Sequence, residues 1–446
     1  MPTIPLHEMR DFVARCAPDR ALWPDDPLYV GLDSEAALRG QGRSCIDALE
    51  HTILFSDPSR PTCQLFTGFL GSGKTTELRR LRAKLEANRE LPTTAILIDF
   101  EEYINPLAPI TITDVLRVLA YALDREATRA EKKDPDAHPG YLKRLFEFLA
   151  QTEVSIKNIG FAQYGASLML ELKNNPTFRQ HAENALALRF QAFAQEATET
   201  MAAAIGRIRK ATQSTQVVVL ADGLEKIRPM REDDRAQIDA SVEMLYVQNA
   251  AWLRIPCHTI YTFPLWLRFR SSPLGGLYDR EPQILPMVKT VEQSGAPFRA
   301  GLDKLSELVA RRVDVHKIFG DSERLLPLLE ASGGYPRDLL RMVRELLFTA
   351  PDFPVRMEDV ERVIEVTAET YAQNVRSPDV DLLAEIAASH SLPEGDDSRL
   401  AHFGRLLERF LLLGYRNGRE WYDLHPLVKR APALQKRLSP KREDAT

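Results

Sequence analysis

The run Gly68-Phe69-Leu70-Gly71-Ser72-Gly73-Lys74-Thr75 restricts this chain more than any other feature. It follows the spacing G-x-x-x-x-G-K-[ST], in which a glycine-bent loop turns its backbone N–H groups toward an anion. The N-terminus of the following helix points at the same place. Such a loop needs a buried strand before it and a helix after it. Cys63-Gln64-Leu65-Phe66-Thr67 is an apolar strand, and the charged stretch over residues 75–88 reads as a helix. The ligand implied is a nucleotide polyphosphate. Lys74 reaches its β- and γ-phosphates and the Thr75 hydroxyl ligates Mg²⁺, while Gly68, Gly71, Ser72, Gly73 and Thr76 complete the cradle.

Further strands are expected at residues 94–99, 216–222, 258–263 and 283–289. The run Val217-Val218-Val219-Leu220-Ala221 is apolar on both faces, as in a strand covered by helices above and below. Strands alternating with helical stretches imply an α/β fold: a parallel sheet with helices on both sides. The organisation that follows is an N-terminal segment at 1–60 and a P-loop core at 61–299. A helical lid is expected at 300–376, a winged helix at 377–432 and a charged tail at 433–446. Within the core, partial alternation and glycines suggest an inserted β-hairpin at about 152–175, and one long helix is expected over 177–210. Asn417-Gly418 reads as a two-residue hairpin turn.

The formal net charge of -5, from 58 basic and 63 acidic residues, argues against nucleic-acid coating of the whole surface. Cys16, Cys45, Cys63 and Cys257 have no zinc spacing and read as buried thiols of a reducing compartment. No apolar run is long enough to cross a bilayer, and the first residues lack a signal segment, so a cytoplasmic protein without a membrane partner is expected.

The acid that completes a magnesium site should end a buried strand, and Asp222 does. Glu225 is the candidate to orient or deprotonate the attacking water; a solvated first-turn residue is the alternative. Thr262 closes the fourth strand, where a hydroxyl can meet the γ-phosphate or the water, or be a plain strand residue. Arg268 and Arg270 are either arginine fingers toward another subunit or surface residues.

Asp222-Gly223-Leu224-Glu225 resembles the Walker B segment of STAND ATPases, the NACHT and NB-ARC relatives of AAA+ and origin-recognition ATPases. In that family the first acid holds magnesium and the later one assists hydrolysis. Gly334-Tyr335-Pro336 is similar to its G-x-P element, whose proline packs near the adenine, and Arg337 resembles the sensor arginine of AAA+ lids. Leu424-His425-Pro426-Leu427-Val428 looks like the MHDLV motif, whose histidine contacts the ADP β-phosphate; Pro426 stands where that motif has its aspartate. Tyr29 and Val30 lie where such ATPases place an adenine-side segment.

The resemblance implies an ATP- and Mg²⁺-dependent switch that changes domain arrangement and self-association with its nucleotide, in bacterial signalling or defence. Neither a repeat sensor nor an effector domain is recognisable, so a homo-oligomer and a separate sensor or effector protein are the implied partners. A DNA-handling ATPase is the competing class, with Arg399, Arg405, Arg409, Arg416 and Arg419 as its footprint. A nucleotide kinase would need neither the lid nor the winged helix.

Overall fold

The computed structural model describes residues 4–33, 36–39, 44–57, 59–138, 140–150, 164–270 and 274–438. Five strands form one sheet in the order β2-β3-β4-β1-β5, with every neighbouring pair parallel. They are β1 (Cys63–Gly68), β2 (Thr93–Asp99), β3 (Gln216–Asp222), β4 (His258–Thr262) and β5 (Gln283–Leu285). β5 stops before Pro286, which has no N–H to continue the ladder.

Side chains alternate across a strand, so β3 feeds two cores at once. Val217, Val219 and Ala221 face the helices Ile112–Ala130 and Phe190–Thr212. Val218 and Leu220 face the opposite layer, built on Cys45–Leu54 and Lys74–Glu86. A third apolar cluster joins the helices Arg299–Ala310, Ser322–Ala331, Pro336–Thr349 and Met357–Asn374, the stretch expected to be a lid and called so below, to the C-terminal segment. That segment comprises the helices Val380–Ser389 and Asp397–Glu408 and the antiparallel pair β6 (Leu412–Asn417) and β7 (Arg419–Leu424). Phe12 and Cys16, on and just after the N-terminal helix Leu6–Arg15, belong to the same cluster. All four cysteines are free and buried.

Three local expectations change. Residues 152–163 of the suggested hairpin lie outside the described residues, and its second half is the helix Tyr164–Asn174. There Leu168, Met169 and Leu172 share one buried face, the three- and four-residue spacing of a helix. The long helix over 177–210 is two, Pro176–Leu188 and Phe190–Thr212, broken at Arg189 with φ −124° and ψ 33°. The break lets each half bury its own face, Ala182, Ala185 and Leu186 on one and Phe193, Ala194 and Ala197 on the other. In the terminal hairpin Asn417 pairs with Arg419, which leaves Gly418 alone between the paired residues, at φ 73°. Only glycine takes that left-handed conformation without strain.

Candidate nucleotide site

Parallel strands deliver their C-terminal ends to one edge, where ligands of open α/β sheets bind. Here that edge gathers Gly68 from β1, Asp99 from β2, Asp222 from β3 and Thr262 from β4. The register sets Asp99 directly opposite Asp222 and Phe66 opposite Thr262. A cavity of about 410 Å³ opens there. Its walls include Gly71, Gly73, Lys74, Thr75, Thr76 and Glu225, with Arg337 from the lid.

The loop is bent as its glycines require. Gly71 and Gly73 sit at φ 82° and 98°, and a Cβ at Gly73 would meet nothing within 4 Å. That open space faces the N-terminus of the helix Lys74–Glu86, as an anion cradle needs. Lys74 is buried and folded back on its own loop. Its Nζ donates to the carbonyls of Gly68 at 3.1 Å and Phe69 at 3.0 Å, and stands 3.3 Å from Glu225 Oε1. Burial pushes the Glu225 carboxyl up, but Lys74 and the Thr262 hydroxyl outweigh it and hold the acid below its ordinary range.

Thr75 Oγ1 donates to Asp222 Oδ2 at 2.6 Å. Asp222 Oδ1 is buried without a partner, and so is Ser72 Oγ. Burial and then the Glu225 charge raise the Asp222 carboxyl to about 7, against the opposing pull of the Thr75 bond and the Lys74 charge. A divalent cation would remove that penalty. One vacant carboxylate oxygen beside a threonine hydroxyl is the oxygen donor set Mg²⁺ takes alongside substrate phosphates. The residues therefore fit a magnesium–nucleotide pair, for which Thr75 and Asp222 would be the protein's ligands. Asp99, Thr75 and Asp222 also line an adjoining cavity of about 330 Å³.

Thr262 is fully buried and absent from the cavity wall. Its hydroxyl donates to Ala221 O and accepts from Leu224 N, each at 3.2 Å, which fixes the turn that carries Glu225. Arg337 does reach the loop: a Cβ on Gly71 would lie 2.4 Å from its Nε. Pro336 is buried as the first residue of its helix.

Two expected contacts are not made. His425 is fully buried away from the cavity, stacked on Tyr371 with centroids 4.4 Å apart, and its Nε2 faces Asp338 Oδ2 at 3.5 Å. Val30 packs in the cluster shared with the C-terminal helices, and Arg311 donates to Tyr29 O at 2.6 Å while the Tyr29 phenol lies among Glu77, Arg80, Asp33 and Arg39; the strap Pro18, Asp19, Arg20 and Ala21 lines the cavity instead. Arg268 pairs with Glu420, and Arg270 with Asp239. Each arginine is thus held by an acid of its own chain.

Sequence reasoning missed three contributors. Tyr335 Oη donates to Leu70 O at 2.6 Å, tying the lid to the loop. Arg39, buried beneath the loop, donates to Ser72 O at 2.7 Å, and its Nε and one terminal nitrogen are unpartnered. Asp19 meets Arg337 at 3.0 Å. Tyr335 stands inside the G-x-P element and was legible there; Arg39 and Asp19 carry no local signal.

No protein-family profile matches this chain, and no curated protein does. Among solved structures it is similar to the Walker-type ATPase of Pyrococcus abyssi, at 16% identity and a TM-score of 0.38, over 91% of this chain and 99% of that one. It is also similar to the Aeropyrum pernix ORC1 protein in complex with DNA, at 12% identity and a TM-score of 0.37, over 95% and 98% of the two chains.

Proposed function

We propose that this protein is an ATP-binding, slowly hydrolysing switch of the STAND type, in which the nucleotide sets the placement of the lid and C-terminal segment. The observation that carries the reading is the direct attachment of both segments to the phosphate loop. Tyr335 bonds the loop carbonyl of Leu70, and its ring stacks on Phe410 at 5.2 Å. Phe410 in turn lies 6.3 Å from Phe69 of the loop. Tyr415 Oη, on β6, donates to Gly333 O at 2.7 Å, and Met287 N donates to Gly414 O at 2.9 Å. A loop that rearranges to take phosphates pushes on all three parts.

In this reading the amides of the loop and Lys74 bind the phosphates, and Thr75 and Asp222 hold Mg²⁺. When bound, the metal screens the phosphate charge. Lys74 must leave Gly68 O, Phe69 O and Glu225 to meet a phosphate, which frees Glu225 to accept a proton from water. Thr262 keeps the Glu225 turn in place. Adenine is favoured because no guanine-reading N-K-x-D is present. The C-terminal helices and hairpin act as a winged helix whose release exposes surface for self-association or for a separate effector in bacterial signalling or defence. A nucleotide shifts such an equilibrium only as far as it binds one arrangement better than the other.

The DNA-handling alternative has less behind it, since Arg399 pairs with Glu385 and Arg409 with Asp379. The test is the hydrodynamic size of the protein with ADP, with a non-hydrolysable ATP analogue and with neither, all with Mg²⁺. A change between the two nucleotides is expected; the same mass and radius in all three states would remove the switch.

A further inference from the structure

The strap Pro18–Ala21 forms one wall of the nucleotide cavity, although no phosphate-binding pattern marks it. It is clipped to the phosphate-loop helix at two points. Leu22 N donates to Thr76 Oγ1 at 3.2 Å, and Arg79 donates to Ala21 O at 2.5 Å. Between the strap and the lid, Asp19 Oδ1 meets an Arg337 terminal nitrogen at 3.0 Å. The Arg337 Nε, packed against Gly71, is buried and has no partner. The arginine is therefore half-used: one edge of its fork faces the loop, and the other is held by a carboxylate.

We propose that Asp19 is a resident counter-anion that a nucleotide's third phosphate must displace from Arg337, so that Asp19 sets the site's preference between triphosphate and diphosphate. The inference rests on the nucleotide-switch reading above. The loop amides and helix N-terminus take the first phosphates, and Lys74 spans the second and third. The cation facing them from the lid is left for the terminal one. A guanidinium binds carboxylate and phosphate oxygens with the same planar fork, so the two anions compete for one site. A diphosphate leaves the Asp19–Arg337 pair intact and the strap closed over the cavity. A triphosphate breaks the pair and frees Asp19, while the two clips to the phosphate-loop helix keep the strap in place.

The size of the effect follows from exposure. The Asp19 side chain is 79% exposed and that of Arg337 31%, so their pair is a weak, solvent-screened one. Its removal is worth about two- to fivefold in affinity, not orders of magnitude. The exposure also makes Asp19→Asn harmless to folding.

The experiment is isothermal titration calorimetry with ADP and with a non-hydrolysable ATP analogue, both with Mg²⁺. The proteins are the full chain and its Asp19→Asn, Arg337→Gln and doubly substituted forms. Asp19→Asn is expected to tighten the triphosphate analogue about two- to fivefold and leave ADP unchanged. In the Arg337→Gln background the same substitution should do nothing. An equal gain for ADP, a gain that persists without Arg337, or no gain at all overturns the inference while leaving nucleotide binding in place. If the unsubstituted chain binds neither nucleotide, the switch reading falls and takes this inference with it.

Discussion

In the proposed function Lys74 and Glu225 are the residues on which the chemistry turns, and they are buried together with side chains each 3% exposed. Lys74→Ala is expected to abolish nucleotide binding in calorimetry. It also strands a buried carboxylate, which costs on the order of 3–5 kcal/mol when one partner of such a pair is removed; a fall in the unfolding midpoint in denaturant checks this. Glu225→Gln separates the two effects. It keeps the side chain's shape and removes the base, so nucleotide binding should persist while the phosphate-release rate drops about 100-fold or more. An unchanged rate would take the proton-accepting role away from Glu225. At this scale the sequence was most legible where function is local. The loop, Thr75 and Asp222 are specified by their immediate neighbours, and the structure brings them together. His425, Tyr29, Val30, Arg268 and Arg270 depend on which distant residues meet them. Asp338 and Tyr371 meet His425, Glu420 and Asp239 pair with the two arginines, Arg311 bonds Tyr29 O, and Val30 joins an apolar cluster.

Among elements, the junction between lid and core is built on a backbone approach that only glycine permits. Gly334 stands at φ 80°, and a Cβ there would lie 1.7 Å from Val288 O. Gly334→Ala should therefore undock the lid, detected as faster limited proteolysis within residues 300–376 and a lower melting temperature. Tyr335→Phe is the milder counterpart. It removes only the bond to Leu70 O and should cost about 1 kcal/mol. The lid meets the C-terminal segment at Asp338, whose carboxyl is faced by His425, Tyr371 and Arg341. Burial pushes that carboxyl up, but the His425 and Tyr371 contacts and the Arg341 charge outweigh burial and hold it below its usual range. A depressed acid adds stability that is complete above the unfolded value of about 4 and is lost as pH falls through the lower folded value. Acid should thus loosen this junction, and Asp338→Asn should flatten that part of the pH–stability curve measured by thermal unfolding. The element pattern itself was largely legible, because strand alternation and helix spacing are short-range. The break at Arg189 and the helical Tyr164–Asn174 were not, since both follow from which faces are buried by partners far along the chain.

For the whole molecule, the five parallel strands and the helical C-terminal region follow from the order of apolar runs, which the sequence displays. The continuity of the third core does not. One apolar cluster runs from Phe12 through Phe69 and the lid to Leu434, so segments that read as separate modules share an interior. In the proposed switch, that sharing is the route by which a change at the phosphate loop reaches the C-terminal hairpin. Small-angle X-ray scattering with Mg²⁺ tests this coupling most directly, comparing the protein with ADP and with a non-hydrolysable ATP analogue and using Lys74→Ala as the control. The account predicts distinct scattering curves for the two nucleotides in the unsubstituted protein and superimposable curves in the Lys74→Ala variant. Superimposable curves in the unsubstituted protein, with calorimetry showing both nucleotides bound, would contradict it.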